Sequence, residues 1–161
     1  MTSSTFAGDE SRWEEFASGH YIDDVSGEPR PVSLEVTHAY FEAWSAAGSV
    51  VSNAVDMLQW IKFQLNNGST EDGTALLSRA EFEFTHQPSM QKRVPPRWQR
   101  PLDPVTYKFG THSVAWSEHT YRDVQISQHI GGETGFQSLI TVSRSAQFGI
   151  FTGINKDPHQ V

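Results

Sequence analysis

With 19 acidic residues against 12 basic ones, this chain of 161 residues carries a formal net charge of −7 and lacks the basic footprint of general nucleic-acid binding. Its length fits a single domain, residues 1–161, burying roughly two thirds of the surface its unfolded chain exposes. The lack of any cysteine excludes disulfides, thiol catalysis and Cys-based zinc sites.

The opening MTSSTFAGDE has none of the layout of a signal peptide, and no apolar run reaches the roughly 20 residues that span a bilayer. Residues 1–39 are polar and turn-rich, with Gly8, Gly19, Gly27, Pro29 and Pro31 and no sustained period. They read as irregular connection around a short helix near residues 11–17, opened by a capping box Ser11-x-x-Glu14. Trp13 and Phe16 read as a satellite cluster that pins this segment to the body.

The strongest helix spans residues 53–66. Ser52 is its expected N-cap, Asp56 lies near its positive end, and Asn67-Gly68 closes it in a left-handed cap. Met57, Leu58, Ile61 and Leu65 fall at helical spacing as a core-facing stripe. Trp60 and Phe63 widen that stripe, so the helix is expected to be mostly buried. A second helix follows Ser78, with the capping box Ser78-x-x-Glu81 and a stop before Pro88. Residues 88–104 hold five of the eight prolines together with Lys92, Arg93, Arg97 and Arg100, the one basic patch of an acidic chain. The patch reads as a solvated proline-rich loop; the functional alternative is contact with an anionic substrate or partner. From residue 107 to 121 the pattern is strand-like, with Phe109, Val114 and Trp116.

Residues 124–131 alternate: Val124, Ile126 and Ile130 on one face, Gln125, Ser127, His129 and Gly131 on the other. The segment Gly131-Gly132-Glu133-Thr134-Gly135 reads as a glycine-rich hairpin turn. Residues 136–142 and 148–154 are apolar at nearly every position, which predicts strands buried on both faces with helices above and below. The expected fold class is α+β: an antiparallel sheet ending in a C-terminal three-stranded meander, flanked by helices. His129 is the polar group that stands out, beside two glycines that permit close approach to the backbone.

His129-x-Gly131-Gly132, then Gly135-Phe136-x-Ser138, then Gly149-Ile150 and a final Asn155 resemble the C-terminal part of the serine β-lactamase and penicillin-binding-protein-like hydrolases. The likeness is to the class C and esterase branch, where the third active-site motif is often His-x-Gly. AAGSVVSNAVDMLQWIKFQLNNG, from Ala46 to Gly68, is similar to that family's Ala-Gly-x-x-x-Ser-x-x-x-Asp-Met helix. MTSSTF is similar to its Leu-Gly-Met-x-x-Thr-x-Phe segment. Together these cover most of the chain in the family's order.

Serine acyl transfer needs a nucleophile, a base, oxyanion donors and a group that holds the substrate. In the family, Ser-x-x-Lys at a helix start supplies the first two, and Tyr-x-Asn or Ser-x-Asn adds another proton-handling group. Neither Tyr-x-Asn nor Ser-x-Asn occurs here, and neither does Gly-x-Ser-x-Gly. One Ser-x-x-Lys exists, Ser89-Met90-Gln91-Lys92, but it follows Pro88 in a loop and comes after the Asp-Met helix, so it reads as a coincidence. The resemblance therefore begins after the catalytic serine and implies a partial β-lactamase/transpeptidase-like fold. It implies His129, Gly131 and Gly132 as the catalytic-site residues present. His129 would contact the substrate or proton network, Gly131 would let the substrate lie against the strand, and the Gly132 N–H would be an oxyanion donor. The substrate class is a small molecule or peptide acted on by the longer parent, and the chain alone is expected not to acylate. The apolar last strand is expected to form a bare edge open to self-association or to a partner chain.

No cofactor is implied. The seven histidines include His112, His119 and His129, whose spacings match neither His-Glu-x-x-His nor a helical pair, so no metal site is expected. Two other readings stand beside the hydrolase: a non-catalytic binding or interaction module derived from that family, and a small anion- or metal-binding domain using the basic loop or the histidines.

Overall fold

The computed structural model describes residues 1–6, 14–43, 45–91 and 107–156. Along the chain the elements are β1 (Thr5–Phe6), β2 (His20–Ile22), β3 (Pro29–Pro31), α1 (Leu34–Ala43), α2 (Ser45–Gly48), β4 (Val50–Val51) and α3 (Ala54–Leu65). They continue as α4 (Arg79–His86), β5 (Met90–Gln91), β6 (Tyr107–His112), β7 (Ser117–Tyr121), β8 (Val124–Glu133), β9 (Phe136–Ser143) and β10 (Phe148–Ile154). The content is mixed α and β with antiparallel sheets. The main sheet has six strands in the order β10-β9-β8-β7-β6-β5, so the expected three-stranded meander is its C-terminal half. The pairs β1·β4 and β2·β3 form two small sheets. No helix among the described residues is long and apolar enough to cross a membrane.

The chain divides into two compact units. The first comprises Met1–Met57, Ile130–Leu139 and Thr152–Val161. Its organising group is Asp56, only 4 % exposed. One carboxylate oxygen accepts from the Thr2 N–H (3.2 Å), the other from the Ser3 N–H (2.8 Å) and the Ser4 hydroxyl (2.7 Å). The opening residues are thereby tied to the first turn of α3, and β1 then pairs antiparallel with β4. These hydrogen bonds, that from the Ser4 hydroxyl first, hold the Asp56 carboxyl below the ordinary aspartate range. A second tie joins residues far apart in sequence: Asn155 Nδ2 donates to the Ser18 carbonyl (3.0 Å), and His20 Nδ1 donates to the Asn155 carbonyl (3.1 Å).

Residues 14–39 are more regular than their composition implies. β2 and β3 pair antiparallel across a loop in which the Asp23 carboxylate accepts from Val25 N–H, Ser26 N–H and the Ser26 hydroxyl. Pro29 and Pro31, named as part of a turn-rich segment, flank Arg30 in a short two-stranded ribbon that leaves both prolines exposed. α1 follows, with Ser33 as its cap, its hydroxyl accepting from the Val36 N–H (3.3 Å). The exposed Leu34 and Val36 show no inward stripe, which is why periodicity misses this helix. Of the helix expected near residues 11–17, residues 11–13 lie outside the described residues, and Glu14-Glu15 form a short 3-10 turn.

The second unit comprises Leu58–His129 and Ile140–Phe151. The expected helix 53–66 is α3, with two corrections. Its N-cap is Asn53, whose side-chain oxygen accepts from the Asp56 N–H (3.0 Å), while the Ser52 hydroxyl is engaged with Ser4 at 2.8 Å. The helix is also less buried than its composition predicts. Ile61 and Gln64 face inward, but Leu58 is 54 % exposed and Trp60 is exposed as well. The expected left-handed end is present: Asn67 and Gly68 have φ of 52° and 87°, and the Gly68 N–H donates to the Phe63 carbonyl at 3.0 Å. α4 has its full capping box, Ser78 hydroxyl with Glu81 N–H and Glu81 carboxylate with Ser78 N–H.

Two strand expectations also change. β8 runs on to Glu133, so Gly131 and Gly132 lie within a strand and the turn is Thr134-Gly135, with Gly135 at φ 81°. β10 is not buried on both faces. Gly149 packs against Ile61 and Val142, whereas Phe148 and Ile150 are 52 % and 48 % exposed. An unbroken apolar run signals burial only when layers cover both sides, and here α3 covers one.

The core of this unit centres on Phe82, 1 % exposed. Its ring meets Phe63 edge-on at 6.2 Å and His86 at 5.0 Å, and the Arg144 guanidinium lies over it at 5.5 Å. Deleting such a ring removes its transfer energy and leaves a cavity. Phe82→Ala should therefore cost about 3–5 kcal/mol, read as a lower denaturation midpoint with an unchanged urea slope.

Candidate functional site

β8 carries all three residues singled out from the sequence, and the unit boundary crosses the strand between His129 and Ile130. Each side is taken by itself.

On the His129 side, β7 registers with β8 from Tyr121↔Val124 to Ser117↔Gln128. β7 starts at Ser117 because the chain turns sharply there, the Ser113 N–H and hydroxyl both donating to the Trp116 carbonyl at 2.7 and 2.9 Å. His129 lies one residue past that register and is exposed. Trp116, itself buried, meets the imidazole edge-on with centroids 6.5 Å apart. Desolvation by the surrounding protein, and then the charge of nearby His112, hold the His129 pKa below the ordinary histidine value. The shift favours the uncharged ring, whose lone pair can accept a proton.

The inward neighbour on the same strand is very different. Ser127 is buried, and its hydroxyl donates to Glu118 Oε2 at 2.7 Å. His86 Nδ1 lies 3.4 Å from Glu118 Oε1 and 3.3 Å from Ser127 Oγ, and its Nε2 lies 3.1 Å from Gln64 Oε1. The trio has the residue types of a serine hydrolase triad, but the serine hydroxyl points at the carboxylate rather than outward. Both His86 nitrogens are occupied, so the network is a buried polar junction and not a nucleophile.

On the other side, Gly131 makes room for β9: a Cβ there would stand 2.6 Å from Ser138 Oγ. At Gly132, by contrast, no described atom lies within 4 Å of where a Cβ would stand. That position, exposed and open, is where an incoming group could approach the backbone most closely. Glu133 ends the strand and is a residue the sequence reading left in the turn. Its Oε1 occupies the niche that Gly48 leaves by having no side chain, and its Oε2 is buried without a hydrogen-bond partner among the described residues. Burial raises the Glu133 pKa above the ordinary glutamate value. The signal in the sequence was only a carboxylate among glycines.

Ser89 is exposed at the start of β5, its N–H and hydroxyl both donating to the His112 carbonyl at 2.9 and 3.2 Å. It opens no helix; Lys92 and the basic patch that follows lie outside the described residues. Among the described residues no cluster of three or more His, Cys, Asp or Glu is placed to hold a metal ion.

Because the fold raises the Glu133 pKa, its contribution to stability is full below the unfolded-state pKa and is lost as pH rises through the folded-state value. Glu133→Gln, which cannot ionise, should melt higher than the parent at mildly alkaline pH, with the difference vanishing in acid. Gly48→Ala fills the niche and should return the Glu133 titration towards the ordinary range, read by carboxyl carbon NMR.

No family model matches the chain, and no solved structure matches it. Among curated proteins it is similar to the unguisins hydrolase ungD of Aspergillus violaceofuscus (strain CBS 115571), 27 % identical over 148 residues. The match covers 88 % of this chain and 25 % of that protein, so the chain spans about a quarter of the length of the relative it matches.

Proposed function

We propose that this chain is the C-terminal portion of a β-lactamase-related serine hydrolase domain, acting in a longer protein on a small-molecule or peptide acyl substrate. The observation that carries the reading is His129, exposed on β8 with the Trp116 ring edge-on to it. His129 would hold the substrate or accept its proton, and the Gly132 N–H would polarise the scissile carbonyl. Two further observations support it. Asp56, from the segment similar to the Asp-Met helix, binds the segment similar to Met-x-x-Thr-x-Phe, residues 54 to 52 positions apart. The distant relative is named as a hydrolase.

The nucleophile and its base are not part of this reading of the chain. Incubation with a fluorescent penicillin and with a fluorophosphonate, followed by intact-mass measurement, should give no adduct. A stoichiometric adduct on Ser89, or on any serine, would place the active site elsewhere. In a longer protein that turns over substrate, His129→Ala should lower kcat/KM about 10²-fold or more, the scale of a lost general acid–base group, without loss of fold.

The second reading, a non-catalytic interaction module, is favoured by β10, which ends the sheet order with Phe148 and Ile150 exposed. An apolar terminal strand can pair with another chain. Under this reading the chain associates as concentration rises and Ile150→Lys returns it to monomer, measured by light scattering after size exclusion. A monomer at all concentrations removes self-association through β10.

A further inference from the structure

Helix α3 ends at Asn67-Gly68, the one place in the sequence where a glycine follows an asparagine. The fold asks for both residues. Asn67 has φ 52° and Gly68 φ 87°, in the left-handed region that glycine enters freely and asparagine more readily than most side chains. Gly68 is also packed, since a Cβ there would stand 3.0 Å from Phe82 Cδ2. Backbone and packing thus select the dipeptide that is chemically least durable. An asparagine amide is open to attack at Cγ by the backbone nitrogen of the next residue, and glycine hinders that attack least.

In the folded chain the attacking nitrogen is held. The Gly68 N–H donates to the Phe63 carbonyl at 3.0 Å, and the Gly68 carbonyl accepts from the Leu76 and Leu77 N–H groups at 3.1 and 3.4 Å. The Asn67 N–H donates to the Gln64 carbonyl at 3.3 Å. Its Oδ1 accepts from Arg144 Nη1 at 3.4 Å, the same nitrogen that donates to Glu83 Oε1 at 2.9 Å. The Gly68 nitrogen cannot be turned onto the Asn67 side chain without giving up these bonds and the contact with Phe82.

We propose that Asn67 is a self-modification site, an asparagine whose deamidation is blocked by the native turn and begins when that turn opens. In the reaction the Gly68 N–H bond breaks and the nitrogen bonds to Asn67 Cγ. The Cγ–Nδ2 bond breaks, and the amide leaves as ammonia with the proton. Water then opens the succinimide at either carbonyl, giving aspartate or isoaspartate. Aspartate keeps the backbone path and adds a negative charge beside Arg144. Isoaspartate inserts an extra carbon into the main chain, so the left-handed cap and the seat of Gly68 on Phe82 cannot re-form. A transient opening at the end of α3 is thereby made permanent. None of this depends on what the chain acts on.

The test is peptide mapping by mass spectrometry after incubation at mildly alkaline pH, in buffer and in denaturing urea. Asn53, Asn66 and Asn155 serve as internal references. In urea Asn67 should convert fastest of the four. In buffer it should convert slower than in urea by about tenfold or more, as a reaction confined to locally opened molecules requires. Phe82→Leu, which loosens the cover over Gly68, should speed conversion in buffer and leave the rate in urea unchanged. The comparison of the parent chain in buffer and urea stands even if that variant fails to fold. Chain enriched in isoaspartate at this position should unfold at lower urea than unmodified chain. Equal conversion of Asn67 in buffer and urea, or a Phe82→Leu rate in buffer equal to the parent's, overturns the block. Absence of conversion at Asn67 in urea overturns the site.

Discussion

The second unit depends on one buried imidazole. His86 closes α4, stacks on Trp116 with planes 10° apart and centroids at 5.1 Å, and meets the Phe82 ring with centroids 5.0 Å apart. Its ring nitrogens reach Gln64 of α3, Glu118 of β7 and Ser127 of β8. Two helices and two strands are thus indexed to one ring, and the polar atoms that would otherwise be orphaned in the interior satisfy each other. Removing one partner would leave the others desolvated and unpaired, a cost of about 1–3 kcal/mol for each such group. Packing alone tolerates slippage of a strand by two residues, but a hydrogen-bonded ring does not. Since Ser127 is two residues before His129, this junction also fixes where along the strand, and on which face, His129 stands.

β8 carries residues of both units, and each meets its own surroundings. Ser127, His129, Gly131 and Glu133 alternate with the strand, yet their surroundings differ completely. Ser127 is saturated with partners, His129 stands exposed beside Trp116, Gly131 is filled by Ser138, and Glu133 keeps one oxygen with no described partner. Burial lowers the His129 pKa on one side of the unit boundary and raises that of Glu133 on the other, each shift favouring the neutral form. Structural carboxyls are shifted by burial too, so Glu133 is given no catalytic role here.

The first unit is held by a different device. Asp56 gathers three donors from the opening residues, and Asn155 and His20 tie strand ends to the segment before β2. Charge-assisted bonds to an ionised carboxylate are about twice as strong as neutral ones, so this anchor weakens in acid as Asp56 protonates. Within a segment otherwise short of apolar burial, such polar ties stand in for a core. They explain how residues as polar as MTSSTF acquire a fixed place.

Where local chemistry decided the outcome, the sequence was sufficient. Ser78-x-x-Glu81 specified the start of α4, Asn67-Gly68 the end of α3, and the runs around 124–154 three strands with boundaries shifted by no more than two residues. The exposure of His129 followed from alternation with Gln125, although alternation alone put Ser127 in the same light and the structure buries it. What tertiary structure decided was every question of cover. β10 and the Leu58–Trp60 side of α3 are apolar yet exposed, because burial depends on whether a second layer is present, and no pattern within a strand or helix reports its neighbours. The cap of α3 passed from Ser52 to Asn53 because Ser4, some fifty residues earlier, engaged the serine hydroxyl. The Glu133 niche depends on a missing Cβ at Gly48. Such long-range geometry leaves no mark in the residue types themselves.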